Sequence, residues 1–218
     1  MKKDLKISLP LYKVIYSLVF AIILSLIRGV IYVDEIGVAM EPALAMLTIV
    51  FCSDTYLMEV QNRRGEVFHL YEKKRKMAVI LRRLTVQILY LIAVSILGYG
   101  LFLLFQKPIT LSTVSPTAIF GMYMIAVTGT VVFWSVASMT ICNLWRNVWA
   151  GIGSTLVLWL LLNSQVGNSI LGKWNIFSYM FCPVDQMSSF SWMYGTVASV
   201  IVALILVGLI PTILKKRG

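Results

Sequence analysis

Apolar residues run through this chain in long unbroken stretches, at about 11–32, 36–57, 78–105, 117–142, 147–166 and 194–214, each close to the roughly 20 residues a helix needs to cross a bilayer. None shows the in-out alternation of a barrel strand, and backbone polar groups cannot stay unpaired in hydrocarbon, so the stretches predict α-helices. The expected fold is all-α, with six transmembrane helices in one domain over residues 1–218. In the second stretch Glu41 and Pro42 lie near one end, and a start after Pro42 would leave too few apolar residues before Asp54. Pro42 is therefore expected in the first turns of that helix, where its missing N–H costs least. The first stretch is too long for a secretory signal and no small-residue cleavage site follows it; Arg28, Asp34 and Glu35 come instead, so it reads as a retained span.

Composition strengthens this picture. Hydrophobic residues make up 59% of the chain and charged ones 13%, with a mean hydropathy of +0.87, more apolar surface than a soluble core hides. Sixteen of the nineteen Lys and Arg residues fall before the first span, between spans two and three, between four and five, or after the sixth. Only Lys107 and Lys173 fall on the other side, and Arg28 lies inside a span. By the positive-inside rule both termini and the segment between spans two and three are expected in the cytoplasm, most readily that of a bacterial cell membrane. The net charge of +10 then describes a basic rim facing anionic lipid and calls for no nucleic acid. Cys52 and Cys142 are placed near the cytoplasmic ends of their helices, and Cys182 on the outer side, either as a free thiol or bonded to a second subunit.

Catalytic chemistry finds no purchase in this sequence. With the single histidine His69 and three scattered cysteines, neither a zinc site nor any other metal set is expected. The pattern G-x-x-x-x-G-K-[ST] is absent, so the chain itself is expected to hold no nucleotide in a phosphate-cradling loop. The chain is read as a non-catalytic subunit. Its ionisable residues within the membrane are Arg28 and Glu41, with Asp54 at the inner border. Counted from the turn at 33–36, residues 28 and 41 stand at similar depth on adjacent antiparallel helices, which predicts an Arg28–Glu41 ion pair. The alternative is that Arg28 snorkels outward to Asp34, Glu35 or lipid phosphate and only anchors its helix.

Between spans two and three the pattern changes character. Residues 54–83 concentrate Asp54, Glu59, Arg63, Arg64, Glu66, Glu72, Lys73, Lys74, Arg75, Lys76, Arg82 and Arg83. The first part has no helix breaker and is expected to prolong span two, until Gly65 ends or bends it. From Glu66 onward Val67, Leu70 and Tyr71 recur at helical spacing with Phe68 beside them, giving one short apolar face bounded by charge. So short an amphipathic helix cannot stand alone in water. It needs a membrane surface or the groove of another protein.

This layout resembles the membrane subunits of type-2 ATP-binding-cassette (ABC) transporters, which carry an acidic-then-basic stretch, a glycine, a short coupling helix and a basic cluster before the third span. Glu59, Arg63, Gly65, Glu66, Leu70 and the run from Lys73 to Lys76 match it, although Tyr71-Glu72-Lys73-Lys74-Arg75 stands where the family usually has Ser-Pro and a basic pair. The likeness extends to the basic amphipathic N-terminus, the tight turn from Asn143 to Asn147 and the long segment before the last span. It implies that Gly65, Glu66, Val67, Phe68, Leu70, Tyr71, Lys73, Lys74 and Arg75, within a cytoplasmic loop at 58–77, dock on a separate ABC ATPase present in two copies. ATP and Mg would be bound there and not here. A second permease, identical or related, would complete the path.

The segment 167–193 mixes Trp174, Phe177, Tyr179, Phe181 and Trp192 with Gly167, Gly172 and Pro183, and no run in it is long enough to cross. In the resembled family this region folds as short re-entrant helices capping the outer end; an interfacial aromatic belt is the ordinary reading. The resemblance implies an export permease, and scarce buried charge points to a hydrophobic or amphipathic cargo such as a peptide, antibiotic or lipid. Two other readings remain open: the substrate-binding six-helix subunit of a vitamin importer, and a membrane scaffold or immunity protein that transports nothing.

Overall fold

The structure, a computed structural model, describes residues 7–57, 73–110, 115–182 and 190–217, without the side chains at 73 and 211–217. Among the described residues every regular element is helical apart from one isolated parallel bridge between Tyr32 and Ile109. In chain order the long helices are α1 (Leu11–Ile27), α2 (Val33–Cys52), α3 (Lys73–Gln106), α4 (Pro116–Trp145), α5 (Val148–Leu162) and, after a short α6 (Gln165–Leu171) and a 3-10 turn (Gly172–Trp174), α7 (Met193–Arg217). Four of these, α2, α3, α4 and α7, are long and apolar enough to cross a membrane. The count rises to five if α5 and the helical stretch Gln165–Trp174, bent by 70° at the break between them, form one span. Helix α1, at 17 residues, is apolar but shorter; its length of about 25 Å falls a little under a hydrocarbon core of about 30 Å.

Helix boundaries depart from the sequence reading in instructive places. Helix α2 begins at Val33, where the Glu35 carboxylate accepts the N–H groups of Ile31 (2.8 Å) and Tyr32 (3.2 Å). Pro42 consequently lies inside the helix and not in its first turns. A proline inside a helix removes the bond to the carbonyl four residues earlier, a loss tolerated in spans packed against other helices; next to it the Pro42 carbonyl accepts the indole N–H of Trp159 on α5 at 3.1 Å. At its other end α2 stops at Cys52, and residues 53–56 form turns. The Ser53 hydroxyl donates to the Val50 carbonyl and the Thr55 hydroxyl to that of Cys52, side-chain bonds that compete with helix continuation. Helix α3 in turn begins at Lys73, so Lys73, Lys74 and Arg75 belong to a helix of 34 residues and not to the loop. The expected tight turn between α4 and α5 is present: Arg146 takes a left-handed conformation (φ 53°), and the Asn147 side chain caps α5 by accepting from Trp149 N (2.9 Å) and Ala150 N (3.4 Å).

Helix α4 is the central element, packed against α2, α3, α5 and α7. Its middle carries Tyr123, Ala126, Val127, Val131 and Trp134, all fully enclosed. Around it α1 is arranged inside out. The buried positions of α1 are Lys13, Ser17, Ala21 and Ser25, while Leu11, Ile15, Leu18, Ile22, Ile23 and Leu26 are exposed. With lipid as solvent, large apolar side chains gain nothing by facing inward, and small or polar residues mark the packed side.

Candidate functional site

The consecutive helices run antiparallel, which gives the bundle two ends. One, the basic end, holds the starts of α1 and α3, the end of α2 and the turn between α4 and α5. The other, the aromatic end, holds the residues between α5 and α7. A carboxylate is buried toward each, and the two are neutralised in different ways.

At the basic end Lys13 is 3% exposed, and its ammonium donates to the Phe51 carbonyl (2.6 Å) and to Asp54 Oδ1 (2.5 Å) while lying 5.1 Å from the centre of the Phe51 ring. The Phe51 ring stacks on Tyr90 at 5.4 Å, and the Tyr90 hydroxyl meets Ser17 Oγ at 2.7 Å. In the same region the Thr55 hydroxyl shares its one proton between the Cys52 carbonyl and Gln87 Oε1 (2.6 Å), and Gln87 Nε2 donates to the Ser8 carbonyl (3.2 Å). Three helices are thereby tied together by polar groups from every partner. The sequence reading placed Lys13 ahead of the first span among the rim charges, whereas it occupies the first turn of α1 as its deepest cation. Its signal was the stripe Lys13, Ser17, Ala21 and Ser25 at intervals of four, one face of a helix.

At the aromatic end Glu41 is 1% exposed near the middle of α2. Its Oε1 accepts the Thr130 hydroxyl of α4 at 2.9 Å and its Oε2 accepts the backbone N–H of Met180 at 3.1 Å. The expected ion pair with Arg28 is not formed. Helix α1 ends at Ile27, so Arg28 sits exposed at the turn between helices. Glu41, eight residues into α2, lies about 12 Å along the axis from the start of that helix and is bonded to α4 and to the residues that follow α6.

Those residues, 175–182, turn back into the bundle. Asn175, Phe177 and Tyr179 are fully enclosed. Asn175 Nδ2 donates to the Leu162 carbonyl (3.0 Å), Phe177 stacks on Trp134 (6.0 Å between centroids) and Tyr179 meets Trp192 edge-on (5.4 Å). The Ser178 hydroxyl donates to the Trp192 carbonyl at 2.6 Å. Two glycines make this close approach possible. A Cβ on Gly37 of α2 would stand 2.5 Å from the Tyr179 ring, and one on Gly195 of α7 would collide with the Asn175 carbonyl and Ser178. Tyr179 and Trp192, read from sequence as belt or cap, are thus core residues, while Trp174 is 61% exposed.

Beside this segment Asn168, Lys173, Ser178, Phe181, Cys182 and Trp192 border a cavity of about 200 Å³. Cys182 is a partly buried thiol, in no disulfide among the described residues, whose pKa is pushed up by burial, opposed by a hydrogen bond with Ser191. Cys52 and Cys142 are free and buried.

Of the proposed docking residues, Gly65, Glu66, Val67, Phe68, Leu70 and Tyr71 lie outside the described residues. Lys73 opens α3, and Lys74 and Arg75 follow it as exposed residues. No group of three or more potential metal ligands occurs among the described residues. The chain matches no protein-family model, no curated protein and no solved structure.

Proposed function

We propose that the chain is the permease subunit of an ABC exporter, driven by a separate ATPase that docks on the segment between α2 and α3. The observation that supports this best is the length of α3. At 34 residues it extends for about 51 Å, well beyond a hydrocarbon core of about 30 Å. Its basic first turns, Lys73 to Lys76, are continuous with the part that packs against α1, α2 and α4. A push on the preceding segment therefore reaches the bundle interior through one rigid element, as alternating access by moving helices needs. In this reading there are six spans, α1 to α5 and α7, with both termini and the basic end in the cytoplasm. The membrane path lies between this chain and a second permease, and the cargo is hydrophobic or amphipathic. The importer reading is less well supported, because it uses small residues of the first span to meet a partner, and Ala21 is buried within the chain's own bundle.

The experiment is purification in mild detergent together with the neighbouring gene products. A P-loop ATPase should be recovered with the wild-type chain and lost with the double variant F68D/L70D, whose melting temperature should stay within a few degrees of wild type. Recovery of no ATPase, or its retention by the folded variant, would overturn the proposal.

A further inference from the structure

The aromatic end holds an acid with unfilled bonding capacity. Each oxygen of a carboxyl group can take more than one hydrogen bond, and the two oxygens of Glu41 take one each, both from neutral donors, Thr130 Oγ1 and Met180 N. Both of its partners are neutral, and Lys13, the buried cation of α1, is engaged by Asp54 instead. Asp34, 5% exposed, Gly37 and Glu41 share one face of α2 at intervals of three and four. Against Gly37, one turn from Glu41, lies the hydroxyl of Tyr179, fully enclosed and without a hydrogen-bond partner among the described residues. Tyr179 is within electrostatic range of both Asp34 and Glu41. The rings of Tyr99, Tyr123, Tyr179 and Trp192 belong to the same packed cluster, with Tyr99 and Tyr123 5.0 Å apart.

One ligand chemistry meets all of these features at once. A neutral apolar group leaves the Glu41 carboxyl and the Tyr179 oxygen unfilled. A protonated amine donates N–H bonds to both oxygens, supplies the positive charge and lies against aromatic rings that attract cations. We propose that Glu41, with Tyr179, is the recognition site for the protonated amine of a lipophilic molecule that the protein transports, an inference that rests on the permease reading and narrows its cargo. Thr130 is a positioning residue that fixes the carboxylate. Because Glu41 and Tyr179 are both enclosed, the site is closed as the structure shows it, and binding of the amine needs the packing around them to open.

The test is binding of dansylcadaverine, a fluorescent lipophilic primary amine, to the full chain in nanodiscs of zwitterionic lipid at neutral pH, with empty nanodiscs subtracted. The N-acetylated, uncharged analogue serves as control. The amine should bind saturably and the analogue about tenfold more weakly or worse, as expected for loss of a charge-assisted bond. Glu41→Gln, whose amide oxygen still accepts a neutral donor, should weaken amine binding by about tenfold or more while leaving the melting temperature nearly unchanged, and Tyr179→Phe should weaken it by about threefold. Equal binding of both probes, no saturable binding, or wild-type affinity in a folded Glu41→Gln protein would overturn the inference. Should Glu41→Gln fail to fold, Tyr179→Phe and the probe pair decide it. ATPase recovery without amine binding would sink this inference alone, and Glu41-dependent amine binding without any ATPase would sink the permease reading alone.

Discussion

The two ends of the bundle bury a carboxylate each and neutralise it differently. Asp54 meets an ammonium from its own chain, and the backbone carbonyl and aromatic face around Lys13 are all occupied. Glu41 meets a hydroxyl and a backbone N–H, with no cation among its partners. A buried pair complete in itself contributes less to net stability than it costs when broken, because the partner left behind is a lone buried charge. An acid held only by neutral donors has interaction energy still to give. The basic end is therefore built as a closed clamp and the aromatic end as an open one.

Breaking the clamp should have the largest effect. Asp54→Asn strands Lys13 and is expected to cost about 3 kcal/mol, at the low end for a buried pair because Asp54 is 17% exposed, and to lower the detergent-solubilised melting temperature by roughly 6–12 °C. Replacing both partners, as in K13M/D54L, should recover most of that loss, since an apolar pair leaves no charge behind. If the double variant is as unstable as the single one, the clamp description fails. At the other end Thr130→Val removes one donor from Glu41 and is expected to cost about 2 kcal/mol by the same melting assay. A cost equal to that of Asp54→Asn would mean that Glu41 is as tightly committed as Asp54.

Smaller effects follow from packing and from isolated bonds. Gly37→Ala pushes a methyl against the Tyr179 ring, with an expected cost of about 1–3 kcal/mol as overpacking. It should also raise maleimide labelling of Cys182, the reporter thiol of that segment, whose reactivity burial suppresses. Unchanged labelling would show that residues 175–182 do not depend on contact with Gly37. Smallest of all, Tyr90→Phe deletes the bond to Ser17, which keeps its other partner, the Val14 carbonyl; a loss of about 1 kcal/mol or less is expected in thermal unfolding.

Much of the helical architecture was legible in the sequence because lipid imposes long apolar runs, and runs of that length have few other solutions. The helix ends were less legible. Nothing in the hydropathy of residues 36–57 announces that Ser53 and Thr55 will take the last carbonyls of α2, or that Glu35 will cap its start. Residues 147–166 read as one span, whereas the helix breaks after Leu162 and bends. For the sites, sequence identified Glu41 as an intramembrane acid but assigned its partner by counting along neighbouring helices. Its true donors, Thr130 and Met180, are 89 and 139 residues away in the chain and are brought to it by tertiary packing. Lys13 could have been found. Its stripe with Ser17, Ala21 and Ser25 is a helical face, and in a membrane protein the polar face is the buried one.

In the proposed transporter, force enters at the basic end through α3 and the cargo is held at Glu41 beneath the aromatic end. The most direct measurement is ATP hydrolysis by the reconstituted complex of this chain with its ATPase, titrated with dansylcadaverine and with its acetylated analogue. The account predicts that the amine raises the rate, that the analogue does so far more weakly, and that Glu41→Gln loses the response to the amine. A rate indifferent to the amine, or one that rises equally in the Glu41→Gln complex, would contradict it.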